Sequence, residues 1–198
     1  MKQVTRRIDP RDIFVRGKQI VLKVLNEDDV ANSNWYGWFN DVETTQLMQK
    51  HYYPNSENDQ LEFLRTQLKG SKTKIQLGIC RGDALPIVGV VSLNDIDLLH
   101  RKAEIAAVIG EKTARNVSVM LEAVDLMIHH AFVELNLHRI DGGTIIKELA
   151  VLLCRSFGFR QEGVFRQDVF HQGQYHDVYR VGLLDSEYRP LTAHPKGG

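Results

Sequence analysis

Cysteine is nearly missing from this chain: only Cys80 and Cys154 occur in 198 residues, far apart and without metal-ligand spacing. That excludes a disulfide framework, and two reduced thiols point to a cytoplasmic protein. Net charge is missing as well. The 25 basic and 25 acidic residues cancel, so no global field draws the chain to nucleic acid or to an anionic membrane. No apolar run is long enough to span a bilayer, and the N-terminus lacks the apolar core of a signal peptide. The phosphate-binding P-loop, the dinucleotide fingerprint and the Gly-x-Ser-x-Gly elbow are all absent. Eight histidines are present, but His129 and His130 are adjacent and point apart on a helix, and His171 and His176 flank a turn. No metal is expected from such spacing.

What remains is an ordinary soluble composition, 43% hydrophobic and 25% charged, in a chain long enough for one domain with a real core. No linker or repeat interrupts it. Residues 1–17 and 189–198 carry little pattern and are expected to be flexible ends around one domain, 18–188. Residues 19–25 are predicted as a first strand, and acidic residues 26–29 then start a helix. A second helical stretch begins at Asn34. Ser56 and Asp59 cap a helix through Leu68, with Leu61, Leu64 and Leu68 on one face. Residues 74–80 and 87–93 form a hairpin around the Pro86 turn, and 103–109 make another strand. Val117, Met120, Leu121, Val124, Ile128, Ala131 and Phe132 recur at helical spacing, predicting a long helix over 116–135. A strand at 138–144, a helix at 147–157 and two last strands complete an α+β order with a crossover in its middle.

The most specific stretch is Ser156-Phe-Gly-Phe-Arg-Gln-Glu-Gly163, where a helix stops at Gly158 and an aromatic-flanked strand starts at once. Glycine just past a helix suits the left-handed cap that reverses the chain. Gly173-Gln-Tyr-His-Asp-Val178 and a closing strand follow. This order resembles the last third of GNAT-type N-acetyltransferases, in the branch that acetylates ribosomal-protein N-termini and amino sugars. The resemblance extends over about residues 18–188 and implies the GNAT fold, with a central mixed, mostly antiparallel sheet flanked by helices. It also implies acetyl-CoA as co-substrate and a small-molecule amine as partner, and it admits a homodimer.

In that family the pyrophosphate of coenzyme A sits where a strand meets a helix N-terminus, because the helix dipole and free N–H groups favour anions. The corresponding residues are Val108, Ile109 and Gly110 at the strand end and Arg115, Asn116, Val117, Ser118, Val119 and Met120 in the loop and first turn. Asn116, Ser118 and Met120 stand where the family has glycine or other small residues. Two readings stand: Asn116 and Ser118 add side-chain hydrogen bonds and Arg115 adds charge, or the segment is simply a capped helix start. The resemblance adds Lys147, at a position often Asn, and Arg155 as cofactor residues. Cys154 occupies the place where many members carry a tyrosine that protonates the departing thiolate. On an apolar helix face it reads instead as an inert core thiol.

Glu104 is the candidate general base. Alternation puts it on one strand face with Ala106 and Val108, and burial would raise its pKa toward neutrality. The alternative is an ion pair with Arg101 or Lys102. Trp35 and Trp38, in the run Trp35 to Phe39, either face a sugar or nucleotide or belong to the core. Tyr52 and Tyr53 are expected to line the same cleft, with His176 near the acceptor. The acceptor expected from these aromatics is an amino sugar, free or nucleotide-linked, for surface polysaccharide. A ribosomal-protein N-terminal acetyltransferase and a GNAT-fold binding module without chemistry are the alternatives.

Overall fold

A computed structural model describes residues 7–45 and 53–191. The first element follows a 3-10 turn at Pro10–Asp12 and is β1, Ile13–Arg16, paired antiparallel with β2, Ile20–Val24. The segment read from sequence as an unpatterned N-terminal end therefore contributes an edge strand. Four residues are too few for alternation to register against a polar background. Glu122 holds this entry in place, its carboxylate accepting from the N–H groups of Lys18 and Gln19. Four short helices follow: α1, Glu27–Asn32; α2, Trp35–Trp38; α3, Val42–Thr45; and α4, Glu57–Phe63. Asn26 and Asp29 form a capping box on α1, and Ser56 and Asp59 form one on α4, each satisfying N–H groups the helix cannot use.

The rest alternates as the sequence predicts. Strands β3, Ile75–Arg81, β4, Gly89–Asp97, and β5, Lys102–Ile109, run antiparallel in succession. Helix α5, Val117–His129, continues as a π-helical turn through Glu134 and leads into β6, Arg139–Thr144. Helix α6, Lys147–Phe157, ends at Gly158 in the left-handed conformation, φ 93°. A Cβ there would lie 2.5 Å from the carbonyl oxygen of Glu187, so geometry and space both demand glycine. Strands β7, Arg160–His171, and β8, Gln174–Leu184, close the chain as a long hairpin. The sheet order is β1-β2-β3-β4-β5-β6-β8-β7, antiparallel except for β5 beside β6. Two apolar layers sandwich it. On one face α5 and α6 bury Val119, Ala123, Met127, Ile128, Ala150 and Phe157 against Ile20, Leu22, Val91, Ile105, Ile140 and Val181. On the other, α1, α2 and the π-helical turn Leu64–Leu68 that continues α4 bury Val30, Trp35, Trp38 and Leu64 against Val21, Cys80 and Val90. Among the described residues no helix is long and apolar enough to cross a membrane.

One charge pair lies inside the second layer. Lys23 Nζ, on a side chain 2% exposed, donates to both Asp29 carboxylate oxygens at 2.7 and 2.6 Å. Burial pushes the Asp29 carboxyl above its usual range, against the hydrogen bonds from Lys23 and the Asn26 N–H. Removing the cation leaves a buried charge without its partner, a loss of about 3–5 kcal/mol. Lys23→Met should show that loss in urea unfolding, and Lys23→Met with Asp29→Leu should recover most of it. A carboxyl whose folded pKa is raised stabilises the fold below its unfolded pKa and loses that stability as pH rises. The single variant should therefore suffer less near about pH 4 than at neutral pH.

Candidate active site

The parallel pairing of β5 with β6 covers only Lys102↔Arg139, Ala103↔Ile140 and Glu104↔Asp141. Beyond Glu104 the two strands part. β5 continues to Ile109 bonded to β4 alone, and β6 continues through Gly142, Gly143 and Thr144 bonded to β8 alone. Residues 105–109 thus present one backbone edge to a wedge between the strands. Such groups need partners when water is excluded, at a cost of about 1–3 kcal/mol for each left unmet. The wedge points toward the start of α5, where Asn116 caps the helix by accepting from the Ser118 N–H at 2.8 Å. The Ser118 hydroxyl donates to the same oxygen at 2.9 Å, and both side chains are exposed.

Several residues nominated for the cofactor are gathered there and others are not. Val108, Ile109, Gly110, Asn116, Val117, Ser118 and Met120 lie along the strand end and first turn. Val119 is 1% exposed in the core, so only its backbone faces the helix end. Gly110 has a reason unrelated to phosphate: a Cβ there would sit 2.0 Å from Trp38 Cδ2. Arg115 turns away from the wedge. It pairs with Glu43, reaches Asp41 Oδ2 at 3.8 Å and donates to Thr44 Oγ1 at 2.7 Å. Lys112 joins it, 2.8 Å from Glu43 and 3.1 Å from Asp41. The hydrogen bonds from Lys112 hold the Glu43 carboxyl below its usual range, and Thr44 followed by Lys112 does so for Asp41. Lys147 is exposed at the first position of α6, on the wedge side. Arg155 lies eight residues on, about 12 Å along the helix, at the end that leads back to β7. Arg155 thus lies at the opposite end of α6 from Lys147.

The acceptor nominations change more. Trp35 and Trp38 are 0% and 2% exposed in the core layer, so they present no ring to a substrate. Their helical spacing is that of packing, and the core reading holds. Tyr53 is 86% exposed, and Tyr52 lies outside the described residues. Glu104 is not buried: its side chain is 39% exposed, and its partner is Arg180 Nη1 at 3.2 Å rather than Arg101 or Lys102. Arg180 in turn lies over the Phe165 ring, 5.7 Å from its centroid.

Strand register shows what Glu104 shares a face with. Gly143 pairs Arg180, and a Cβ on Gly143 would lie 2.8 Å from Arg180 Nη1 and 3.2 Å from Val178 Cγ1. Alternation therefore puts His176, Val178, Arg180 and Gly182 of β8 on the Glu104 side. His176 lies three residues beyond the last β6 pair, Thr144↔Tyr179, its Nε2 3.2 Å from the His171 carbonyl oxygen. Beside them Arg139 binds Asp141 and Glu162 together. Glu162 is held below the usual carboxylate range by Arg139, whose own pKa rises. Sequence reasoning missed Arg139, Asp141, Glu162 and Arg180. The available signal was glycine inside strands: a Cβ on Gly182 would lie 2.6 Å from both Arg139 Nη2 and Glu162 Oε1.

Comparison with known proteins agrees with the architecture. The acetyltransferase (GNAT) domain family matches residues 19–159. A spermidine N(1)-acetyltransferase of Vibrio cholerae is 27% identical over 179 residues, covering 87% of this chain and 91% of that protein. A Bacillus subtilis protein, YdaF, named as a candidate ribosomal N-acetyltransferase, is 30% identical over 103 residues, 52% of this chain and 56% of that protein. In structure, a spermidine N-acetyltransferase from Vibrio cholerae in complex with CoA and spermine superposes with TM-score 0.76 over 86% of this chain and 98% of that one, at 22% identity. That last likeness bears on the fold alone.

Cys154 sits partly buried on α6 among the apolar residues of the first layer. Burial raises its thiol pKa, and burial pushes Cys80 up to about 12. A thiol held protonated is a poor nucleophile. Both cysteines should resist a disulfide reagent in the native protein near neutral pH and react together once the chain is unfolded. Fast native labelling of Cys154 that coenzyme A blocks would instead place that thiol in the chemistry.

Proposed function

We propose that this chain, which belongs to the acetyltransferase (GNAT) family, transfers acetyl from acetyl-CoA to a small-molecule primary amine, and that this amine is borne by an amino sugar. The observation that carries the reading is the broken β5–β6 ladder with Glu104 at its last shared rung. Acetyl-CoA fits the residues present. The free edge of 105–109 supplies N–H and C=O groups for the pantetheine amides, and the first turn of α5 supplies N–H groups and dipole for the phosphates. The co-substrate brings an activated thioester. Lys147, exposed beside the wedge, offers a cation to the phosphates. Arg115, spent on Asp41 and Glu43, is left out of that role.

Glu104 takes the ammonium proton of the acceptor, directly or through one water, leaving the neutral amine to attack the carbonyl carbon; the C–S bond breaks as the C–N bond forms, and the departing thiolate takes the second amine proton. A backbone N–H near Val108 polarises the carbonyl oxygen, where charge develops. The acceptor reaches Glu104 across the face that bears His176, Val178 and Arg180. The buried tryptophans no longer argue for a sugar. Support comes instead from the charge on this face, where Arg180 answers Glu104 and Arg139 answers Asp141 and Glu162. A polycation gains little from carboxylates already paired, whereas a polyol with one amine finds donors and acceptors of both kinds. The spermidine acetyltransferase relatives favour a polyamine as the second reading. Cytoplasmic location and a homodimer remain parts of the proposal.

Three measurements bear on it. Ser118→Glu adds a carboxylate to a helix first turn, which the helix tolerates, and should sharply weaken acetyl-CoA binding; unchanged affinity in a folded variant would move the cofactor elsewhere. Glu104→Gln should lower kcat by about 10²–10⁴ with little effect on acetyl-CoA affinity. That loss should shrink at high pH, where the amine is already neutral. Finally, nucleotide-linked amino sugars, spermidine and basic N-terminal peptides should be offered side by side. The sugars should be acetylated fastest. Faster turnover of the polyamine or the peptides would sink the sugar reading, and silence on all would favour a binding protein without chemistry.

A further inference from the structure

We infer that Arg180 is the residue that sets the charge of the acceptor, excluding polycations from an acetyltransferase fold that its spermidine-acetylating relatives share. The inference rests on the functional reading above for the position of Glu104, and adds a specificity determinant to it. Arg180 Nη1 is 3.2 Å from Glu104 Oε1, with side chains 32% and 39% exposed. The guanidinium is fixed on three sides: by Glu104, by the Phe165 ring beneath it, and by Gly143, whose lack of a Cβ leaves the room it occupies. Such a cation keeps its position when a ligand arrives.

Its effect follows from where an acceptor amine must sit. An ammonium giving its proton to Glu104 lies within a few ångströms of the Arg180 charge. One ammonium is accommodated, because it shares the carboxylate, gives its proton to it and leaves as a neutral amide. A polyamine brings further ammonium groups to the same face, where the carboxylates nearest the Glu104–Arg180 pair on β6 and β7 are already paired. Asp141 and Glu162 are taken by Arg139, and near the cofactor loop Asp41 and Glu43 are taken by Lys112 and Arg115. Lys102, exposed two residues before Glu104 on the same strand face, adds to the repulsion. Like charges brought together without compensation are a strong means of rejecting a ligand. An acceptor carrying phosphate gains from the same guanidinium, which offers paired N–H donors to such oxygens.

The test compares wild type with Arg180→Gln and Arg180→Lys, using UDP-glucosamine and spermidine. Turnover is read as kcat/KM for each acceptor. Acceptor binding to the coenzyme A complex is read by calorimetry. In Arg180→Gln the spermidine-to-sugar ratio should rise by about tenfold or more, as expected when a repulsive charge is lifted. Spermidine should also bind that variant more tightly than wild type. Arg180→Lys, which keeps the charge, should stay near the wild-type ratio. If Arg180→Gln depresses both acceptors in proportion, or if the lysine variant behaves like the glutamine one, Arg180 is structural and the inference falls. Absence of turnover on every amine in wild type would defeat the functional reading alone. The calorimetric comparison would then still decide, because unchanged spermidine binding in Arg180→Gln overturns the role of Arg180.

Discussion

The wedge between β5 and β6 is the constraint on which the remaining structure depends. A continuous parallel ladder would satisfy every backbone group and leave no room for a ligand. Here pairing stops after three rungs, yet the sheet does not come apart, because each diverging strand is held on its other side. β5 keeps seven register pairs with β4 from Gly89↔Ile109 to Asp97↔Lys102, and β6 keeps six with β8. The helices divide in the same way, α5 packing on β2, β4 and β5, and α6 on β6, β7 and β8. Each half of the sheet therefore has its own cover and can stand at an angle to the other. A native fold whose net stability is only about 5–15 kcal/mol cannot leave such an edge dry and empty. Water or a bound ligand must complete it.

Charge is treated differently in the two layers. The buried Lys23–Asp29 pair is a structural device whose members are almost wholly withdrawn from solvent. The pairs on the Glu104 face are partly exposed, and solvent screens them. Their worth lies less in stability than in cancelling the field a ligand would feel. Strand glycines make this arrangement possible. Gly143 and Gly182 give up local β propensity, and the space goes to the guanidinium groups of Arg180 and Arg139.

Much of the fold was legible in the sequence. Strand and helix periodicity located β2 to β6, α5 and α6, and Gly158 marked the helix stop within one residue. The α+β order followed from that pattern, and the resemblance to GNAT acetyltransferases implied the GNAT fold that the structure shows. What failed was local and has physical causes. β1 is short and half exposed, so its pattern was weak. Trp35 and Trp38 stood between substrate contact and core because helical spacing does not say which side of a helix is covered, and their burial decides for the core. Glu104 was expected to be buried because alternation fixes a face and not its depth; α1, α2 and α4 cover that face over β2–β4 and leave it open further along. The ion pairs of Arg139 and Arg180 join residues 23 and 76 positions apart, beyond the reach of any local pattern.

The cofactor loop and the acceptor-side helices are not independent parts. Trp38 lies on Gly110, so the end of β5 and α2 share one close contact that a single methyl group would break. Lys112 and Arg115, a few residues on, hold Asp41 and Glu43 at the start of α3. The charges that a phosphate-binding loop would be expected to aim at its ligand are thus spent on fastening that loop to the neighbouring segment. This explains how the loop keeps its shape without the usual glycines. Glycine would offer an unhindered backbone at the cost of disorder, whereas here Asn116 caps the helix and two cations anchor the approach. On the proposed function, the phosphates are left to backbone N–H groups, the helix dipole and Lys147, without an arginine from this loop. The consequence is a site whose cofactor end is shaped by the core on one side and by ion pairs on the other.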